Sequence, residues 1–174
     1  MPVLEADCAG AQVAHLGEAQ PFGVMLAALD DLKPGEVYLC SGASPTYALW
    51  GALMTTRAVY LGAAGAVLDG FCRDSKEVQQ LSFPVFAAGR YAQDQAVRGR
   101  VIDFRCTVRL RNGAVVRPGD IVVGDIDGVV VIPAEHEEAV VADALEKVRG
   151  EDLVRRALQH GTSASEAFKK YRVM

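Results

Sequence analysis

The chain has 174 residues, about the length of one domain, which excludes a large multidomain protein. Its 51% hydrophobic and 23% charged residues are typical of a folded chain and exclude wholesale disorder. The formal net charge is −4 and no basic block is present, so we expect no nucleic-acid partner. The apolar runs are shorter than the roughly 20 residues of a membrane span and no secretory signal is visible, so we expect a cytoplasmic protein with no membrane partner.

The N-terminal half alternates helical patterns with short apolar runs. Apolar residues at helical spacing predict a helix over 20–32, and a Pro-Gly turn leads into a buried strand over 37–40. Ser44 and Pro45 are typical of an N-cap and a first helical residue, so we expect a helix from Pro45 to Trp50. The later elements predicted in this half are a helix over 52–61, a strand over 64–68, a helix over 75–81 and a strand over 84–87.

The C-terminal half changes to hairpins and then to helices. Alternation over 102–110 and the Asn-Gly pair at 112–113 predict a β-hairpin that returns over 114–116. The later elements predicted are strands over 121–123 and 129–132, a helix from Pro133 to about residue 149 that continues to 160, and a short helix with a Ser163 and Glu166 capping box. We therefore expect a single domain over 1–174, whose helical tail over 134–174 contacts a neighbouring subunit.

The dipeptide Arg73-Asp74 is the strongest candidate for a functional site. It follows a predicted buried strand, and open α/β sheets bind ligands beyond the carboxyl ends of their strands. A guanidinium can bind a carboxylate through two parallel hydrogen bonds, and an adjacent carboxylate can bind a divalent cation. The pair could therefore hold an oxo acid against a metal ion. The alternative is an ordinary surface ion pair, and the dipeptide by itself does not decide between the two.

The backbone from Gly51 to Met54 is the second candidate. A helix that restarts after Gly51 presents unpaired N–H groups, and such groups bind a carboxylate without needing a particular side chain. The alternative is that Gly51 only allows two helices to pack closely. Both interpretations stay open at the level of the sequence.

Four segments, taken together and in this order, resemble the RraA-like family. They are ALWGALM (48–54), GAAGAVLDGFCRD (62–74), RPGD (117–120) and DIDGVVVIP (125–133). The resemblance runs from about residue 35 to the C-terminus, and the combination is more specific than any one segment. It implies an α/β fold of the swivelling β/β/α kind. The family contains class II 4-hydroxy-4-methyl-2-oxoglutarate aldolases and protein regulators of ribonuclease E.

The resemblance also implies roles for individual residues. Asp74 matches the family residue that binds Mg²⁺ or Mn²⁺, and Arg73 matches the residue that binds the pyruvyl part of the substrate. The amides of Leu53 and Met54 would hold the carboxylate of that substrate. In the family a glutamate from the helical tail of a neighbouring subunit also approaches the metal, and we assign this role to Glu151. The implied assembly is a homotrimer or a homohexamer.

One position departs from the family pattern. The aldolases have an acidic residue where this chain has Ala52, and that carboxylate helps to hold water molecules on the metal. Loss of such a carboxylate typically lowers metal affinity or activity by about 10 to 100-fold. Weak activity is therefore compatible with Ala52, which would also make room for a bulkier substrate group.

We predict a divalent-metal-dependent lyase, a class II aldolase, that cleaves 4-hydroxy-2-oxo diacids of the 4-hydroxy-4-methyl-2-oxoglutarate type to pyruvate. Because the same charge stabilisation acts on oxaloacetate, decarboxylation of oxaloacetate is expected as well. One alternative is a non-catalytic regulator that binds ribonuclease E, which Ala52 and the acidic net charge suggest and the intact Arg73-Asp74 pair argues against. The other alternative is a related lyase with a different oxo-acid substrate.

Overall fold

The computed structural model of the protein describes residues 1–8 and 21–173. The chain divides into two compact units, over residues 1–131 and 132–174. The elements that precede the helical tail are β1 (Pro2–Asp7), α1 (Met25–Asp30), β2 (Val37–Ser41), β3 (Ala48–Trp50), α2 (Ala52–Tyr60), β4 (Gly65–Cys72), α3 (Ser75–Gln80), β5 (Val85–Arg90), β6 (Gly99–Phe104), β7 (Val108–Arg109), β8 (Val115–Val116), β9 (Ile121–Asp125) and β10 (Gly128–Ile132). The tail contains a 3-10 turn (Ala134–His136), α4 (Glu137–Gln159) and α5 (Ala164–Tyr171). This mixed architecture confirms the predicted α/β class.

Among the described residues, six strands form one sheet with β4 at its centre. β2 and β3 pair in parallel with successive halves of one edge of β4, and β5 pairs in parallel with the other edge. β1 continues the sheet in parallel beyond β2, and β6 pairs antiparallel with β1. Because β3, β4 and β5 run in the same direction, their carboxyl ends lie at the same edge of the sheet. This edge is where an open α/β sheet is expected to bind a ligand.

The segment from Ala48 to Trp50 forms strand β3, so the predicted helix from Pro45 to Trp50 is wrong. All three residues of β3 are buried, and the strand pairs with the end of β4. A short, wholly apolar run has no periodicity that separates a buried strand from a buried helix. Pairing with β4 therefore decides the conformation.

Helix α1 is shorter than the predicted helix over 20–32. Residue 20 lies outside the described residues, and α1 itself begins at Met25. Before it, Gly23 adopts a left-handed conformation with a φ of 62° and forms a bridge with Val101. Because of this bridge, residues 21–24 are not helical, and the helix begins only at Met25.

The predicted strand over 102–110 is divided into β6 and β7. Arg105, between them, has a φ of 54°, which interrupts the extended backbone. Its guanidinium binds Asp31 and Glu36, and its Nη1 lies 2.7 Å from Glu36 Oε1. The other predicted elements are confirmed, with ends that differ by a few residues.

Two apolar clusters lie on opposite faces of the sheet. Along β2, Tyr38 and Cys40 belong to the larger cluster, whereas Leu39 between them belongs to the smaller one. This alternation is the period-2 pattern of a strand that is covered on both faces. In the larger cluster the Trp50 ring stacks on Phe83, with ring centroids 6.0 Å apart. Packing around Trp50 therefore positions the end of β3 from which α2 starts.

The second unit consists of two packed helices. Val154 of α4 and Ala167 of α5 are buried, and a side chain added at Gly150 would meet Val173 at 3.0 Å. The predicted capping box at the start of α5 is confirmed, because the Ser163 hydroxyl accepts from the Glu166 amide. Within the described part of the chain, no helix combines the length and the hydrophobicity that a membrane span requires.

Candidate functional site

Loops at the carboxyl ends of β3, β4 and β5, together with α1, line a cavity of about 420 Å³. Five of the six residues predicted to form the site line this cavity: Gly51, Leu53, Met54, Arg73 and Asp74. The sixth, Glu151, lies on α4 in the second unit, 3.8 Å from the Nζ atom of Lys147. The fold therefore brings distant motifs together, whereas the roles assigned to these residues stay predictions.

Asp74 follows the end of β4, and its side chain binds the start of helix α2. It has a φ of 54° and occupies the N-cap position of α3, yet its side chain does not cap that helix. Instead, Oδ2 accepts a hydrogen bond of 3.1 Å from the amide of Ala52, the first residue of α2. The positive end of α2 and this amide both stabilise the ionised carboxylate.

The close approach of Asp74 explains the glycine at position 51. The backbone of Gly51 is extended, with a φ of −153°, so its conformation does not require glycine. A Cβ atom there would lie only 2.6 Å from Asp74 Oδ2 and 3.4 Å from the Arg73 side chain. Glycine is needed because the carboxylate occupies the space of a side chain. The sequence left open whether Gly51 allows two helices to pack, and its close neighbours are the side chains of Asp74 and Arg73 instead.

Arg73 lies between two carboxylates. Its Nη2 is 2.7 Å from Asp94 Oδ2, and its Nε is 3.9 Å from Asp74 Oδ2. The amide of Arg73 donates to the Trp50 carbonyl at 2.9 Å, which attaches this residue to the end of β3. All three charged side chains are about 40% exposed, so they are open to a ligand from the cavity. A guanidinium has five N–H donors, and most of them stay available for a bound acid.

The first turn of α2 supplies further donors. Its first amide binds Asp74, and the amide of Thr55 donates to the Gly51 carbonyl at 3.0 Å. Among the described residues, the amides of Leu53 and Met54 between them have no acceptor. Such amides at a helix N-terminus bind anions. The cavity thus combines an arginine with two amides that suit the carboxylate of a small acid.

Asp94 and Gln95 are the site residues that the sequence reasoning missed. They belong to the loop that follows β5, and both line the cavity. The sequence contained a signal for them, because a polar loop follows the strand predicted over 84–87. If that strand is parallel to the one before Arg73, the loop begins at the same edge of the sheet. Within residues 1–8 and 21–173, no group of three or more His, Cys, Asp or Glu side chains is arranged to hold a metal ion.

Behind the cavity, Gln95 contacts a buried carboxyl group on β1. Glu5 is only 2% exposed, and its Oε1 accepts from Gln95 Nε2 at 2.6 Å and from the Tyr47 hydroxyl at 3.3 Å. Its Oε2 has no partner among the described residues. Burial raises the pKa of Glu5 to about 7, although the hydrogen bonds from Gln95 and Tyr47 oppose the shift. Glu5 therefore binds a proton well above the usual range of a glutamate.

Comparisons with known proteins agree with the motifs. The family profile described as RraA-like (Aldolase/RraA) matches residues 7–131. A relative from Halalkalibacterium halodurans, provisionally named a 4-hydroxy-4-methyl-2-oxoglutarate aldolase, is 33% identical over 148 residues, or 83% of this chain and 68% of its own length. A relative from Paraburkholderia phytofirmans with the same provisional name is 32% identical over 133 residues, or 74% of this chain and 78% of its own length. Some relatives are longer, since the chain spans 54% of the length of one from Methanocaldococcus jannaschii.

Solved structures share the fold. The crystal structure of Streptomyces coelicolor RraAS2, described as an unusual member of the RNase ES inhibitor RraA protein family, superposes with a TM-score of 0.72. The superposition covers 89% of this chain and 75% of that chain at 24% sequence identity. At this level of identity, the similarity concerns the fold alone.

Proposed function

Because the chain belongs to the RraA-like family, we propose that it is a lyase that cleaves 4-hydroxy-2-oxo acids of the 4-hydroxy-4-methyl-2-oxoglutarate type and releases pyruvate. One observation carries the proposal. Arg73, Asp74 and Asp94 line one cavity of about 420 Å³ together with the first turn of α2. The proposed reaction breaks the C3–C4 bond, and its electron pair stays on C3 as the enolate of pyruvate. The C4 hydroxyl loses its proton and becomes a carbonyl, while C3 gains a proton.

The residues of this chain account for binding of the acid. The carboxylate of the substrate would bind the amides of Leu53 and Met54, and the guanidinium of Arg73 would bind the adjacent 2-oxo group. Asp94, 2.7 Å from Arg73 Nη2, holds the guanidinium in place. A bound acid is thereby oriented with its pyruvyl part toward the positive charge, which lowers the entropic cost of reaching the transition state.

The same cluster fits a divalent cation. Two carboxylates, Asp74 and Asp94, accompany one guanidinium, so the cluster has one surplus negative charge. Mg²⁺ typically binds proteins through one or two carboxylates and keeps several water molecules, which suits this pair of oxygen donors. Asp74 would hold Mg²⁺ or Mn²⁺, and Asp94 is the second carboxylate of the cluster. When bound, the ion would supply Lewis-acid stabilisation of the negative charge that develops as the C3–C4 bond breaks.

We also propose that a homotrimer or homohexamer forms and that Glu151 of one subunit approaches the site of its neighbour. The support is an apolar stripe on α4, where Val141, Leu145 and Val148 are each more than 40% exposed at helical spacing. Light scattering on the purified protein measures the mass of the assembly. A monomer at all concentrations would contradict this part of the proposal.

The test of the activity is pyruvate release from oxaloacetate and from 4-hydroxy-4-methyl-2-oxoglutarate with added Mn²⁺. Arg73→Ala should abolish turnover, whereas Arg117→Ala, which removes an exposed arginine outside the cavity, should leave it unchanged. No metal-dependent turnover of either acid at any protein concentration would overturn the proposal.

Ala52 favours a second candidate, a non-catalytic regulator that binds ribonuclease E. Its methyl group replaces the acidic side chain of the aldolases, so the site has one carboxylate fewer near the metal. Purified ribonuclease E, titrated with the wild-type chain, distinguishes the two candidates. Inhibition that persists in Arg73→Ala, together with the absence of lyase activity, would favour the regulator.

A further inference from the structure

We propose that the natural substrate has an apolar chain, longer than a methyl group, on the half that lies beyond the cleaved bond. This inference rests on the proposed function, because it assumes that Arg73 and the first turn of α2 bind the oxo-acid end. The chain would lie along a surface that we call the apolar wall. The wall is formed by side chains of α1 and α2 and by Phe22, three residues before α1. Its members are Phe22, Met25, Leu26, Leu29, Leu53 and Met54.

The apolar wall continues directly from the charged cluster. Its residues line the same cavity as Arg73, Asp74 and Asp94. Leu26 is 56% exposed and Leu53 is 87% exposed, so two large apolar side chains face solvent at the mouth of the cavity. Ligand pockets typically combine an apolar lining with a few charged groups that orient the ligand. Burial of these side chains by an apolar substrate group would be favourable.

The cavity is larger than the oxo-acid end requires. Its volume of about 420 Å³ is within the range of pockets that hold drug-sized ligands. Pyruvate has six non-hydrogen atoms and would fill less than half of that space. Outside the charged cluster, most residues that line the cavity are apolar.

The far end of the cavity carries a second arginine besides Arg73. The cation there is Arg57, and its Nε lies 2.8 Å from Asp30 Oδ1 while its guanidinium also covers the Tyr60 ring. Ala52 and Arg57 are about 7.5 Å apart along the axis of α2. An extended chain covers that distance in roughly six carbon–carbon bonds.

Binding of unbranched 2-oxo acids tests the inference. Isothermal titration calorimetry with Mn²⁺ present would compare pyruvate with 2-oxo acids of increasing length. Each buried methylene should tighten binding by about fourfold, so 2-oxohexanoate, with three more methylenes, should bind about 60-fold more tightly than pyruvate. The gain should stop at about nine carbons, where the chain passes Arg57.

Substitutions test whether the chain-length dependence of binding comes from the apolar wall. Leu26→Gln should reduce the ratio of 2-oxohexanoate to pyruvate affinity by about fivefold. Val59→Gln changes an exposed apolar side chain of α2 that lies outside the cavity, and it should leave the ratio unchanged. Arg73→Ala should weaken binding of both acids.

The outcomes separate the inference from the proposed function. Equal affinity for all chain lengths overturns the inference. If Arg73→Ala still abolishes pyruvate binding in that case, the proposed function stands. If no 2-oxo acid binds the wild-type protein, both fall together.

Discussion

The buried carboxyl group of Glu5 makes the stability of the protein depend on pH in a way that a single substitution can isolate. Glu5→Gln keeps the size of the side chain and one acceptor oxygen, but it is neutral at every pH. In the wild type, burial raises the pKa of Glu5 from 4.5 in the unfolded chain to about 7. Asp7 adds to the shift, whereas the hydrogen bonds from Gln95 and Tyr47 reduce it.

The sign and size of the effect follow from this shift. A carboxyl group that binds its proton more tightly in the folded state contributes stability that is fully present below pH 4.5 and is lost as pH rises through about 7. Each unit of pKa difference corresponds to about 1.4 kcal/mol, so the total loss is about 3 kcal/mol. The free energy of unfolding of Glu5→Gln, minus that of the wild type, should therefore rise by up to about 3 kcal/mol between pH 4 and pH 8.

Urea unfolding at steps of half a pH unit measures this difference. Other titrating groups cancel in the comparison because both proteins contain them. Asp7→Asn is a control of opposite sign: partial burial raises the pKa of Asp7, but hydrogen bonds from Ser44 and Tyr47 outweigh this and lower it. The stabilisation by Asp7 is present above its unfolded pKa of 3.8 and is lost as pH falls through the lower folded value. A difference for Glu5→Gln that stays constant over this pH range would refute the reasoning.

Three further substitutions test the packing of the site and of the tail. Gly51→Ala places a Cβ 2.6 Å from Asp74 Oδ2, so the carboxylate must move, and we expect Mn²⁺-dependent activity to fall by about tenfold while the thermal midpoint changes little. Thr55→Val removes the acceptor that lies 2.7 Å from the Trp50 indole N–H and leaves that donor buried, which should lower the free energy of unfolding by about 1 to 3 kcal/mol in urea titrations. Ser163→Ala removes the N-cap of α5 and should lower it by about 1 kcal/mol, with a loss of helical circular dichroism that begins at lower urea concentration.

Much of the architecture could be predicted from the sequence because it depends on interactions between residues that are close in the chain. The Asn-Gly pair at 112–113, the Pro-Gly turns and the Ser163 capping box each act over four residues or fewer, so their outcome can be predicted without knowledge of the fold. The apolar runs over 37–40 and 64–68 predict buried strands because they are short and flanked by glycines and turn residues. The strand predicted over 64–68 also placed Arg73 and Asp74 beyond its carboxyl end, and in the structure they directly follow β4.

Long-range contacts decided the rest. β3 is a strand only because β4 offers an edge to pair with, which the apolar run from Ala48 to Trp50 does not encode by itself. Asp94 lies 20 positions beyond Asp74 in the chain, and it reaches Arg73 because β5 runs parallel to β4 and ends at the same edge. The buried position of Glu5 likewise depends on Gln95, 90 residues away in sequence. The motifs thus determined which groups are available for chemistry, whereas the order of the parallel strands determined which of them meet.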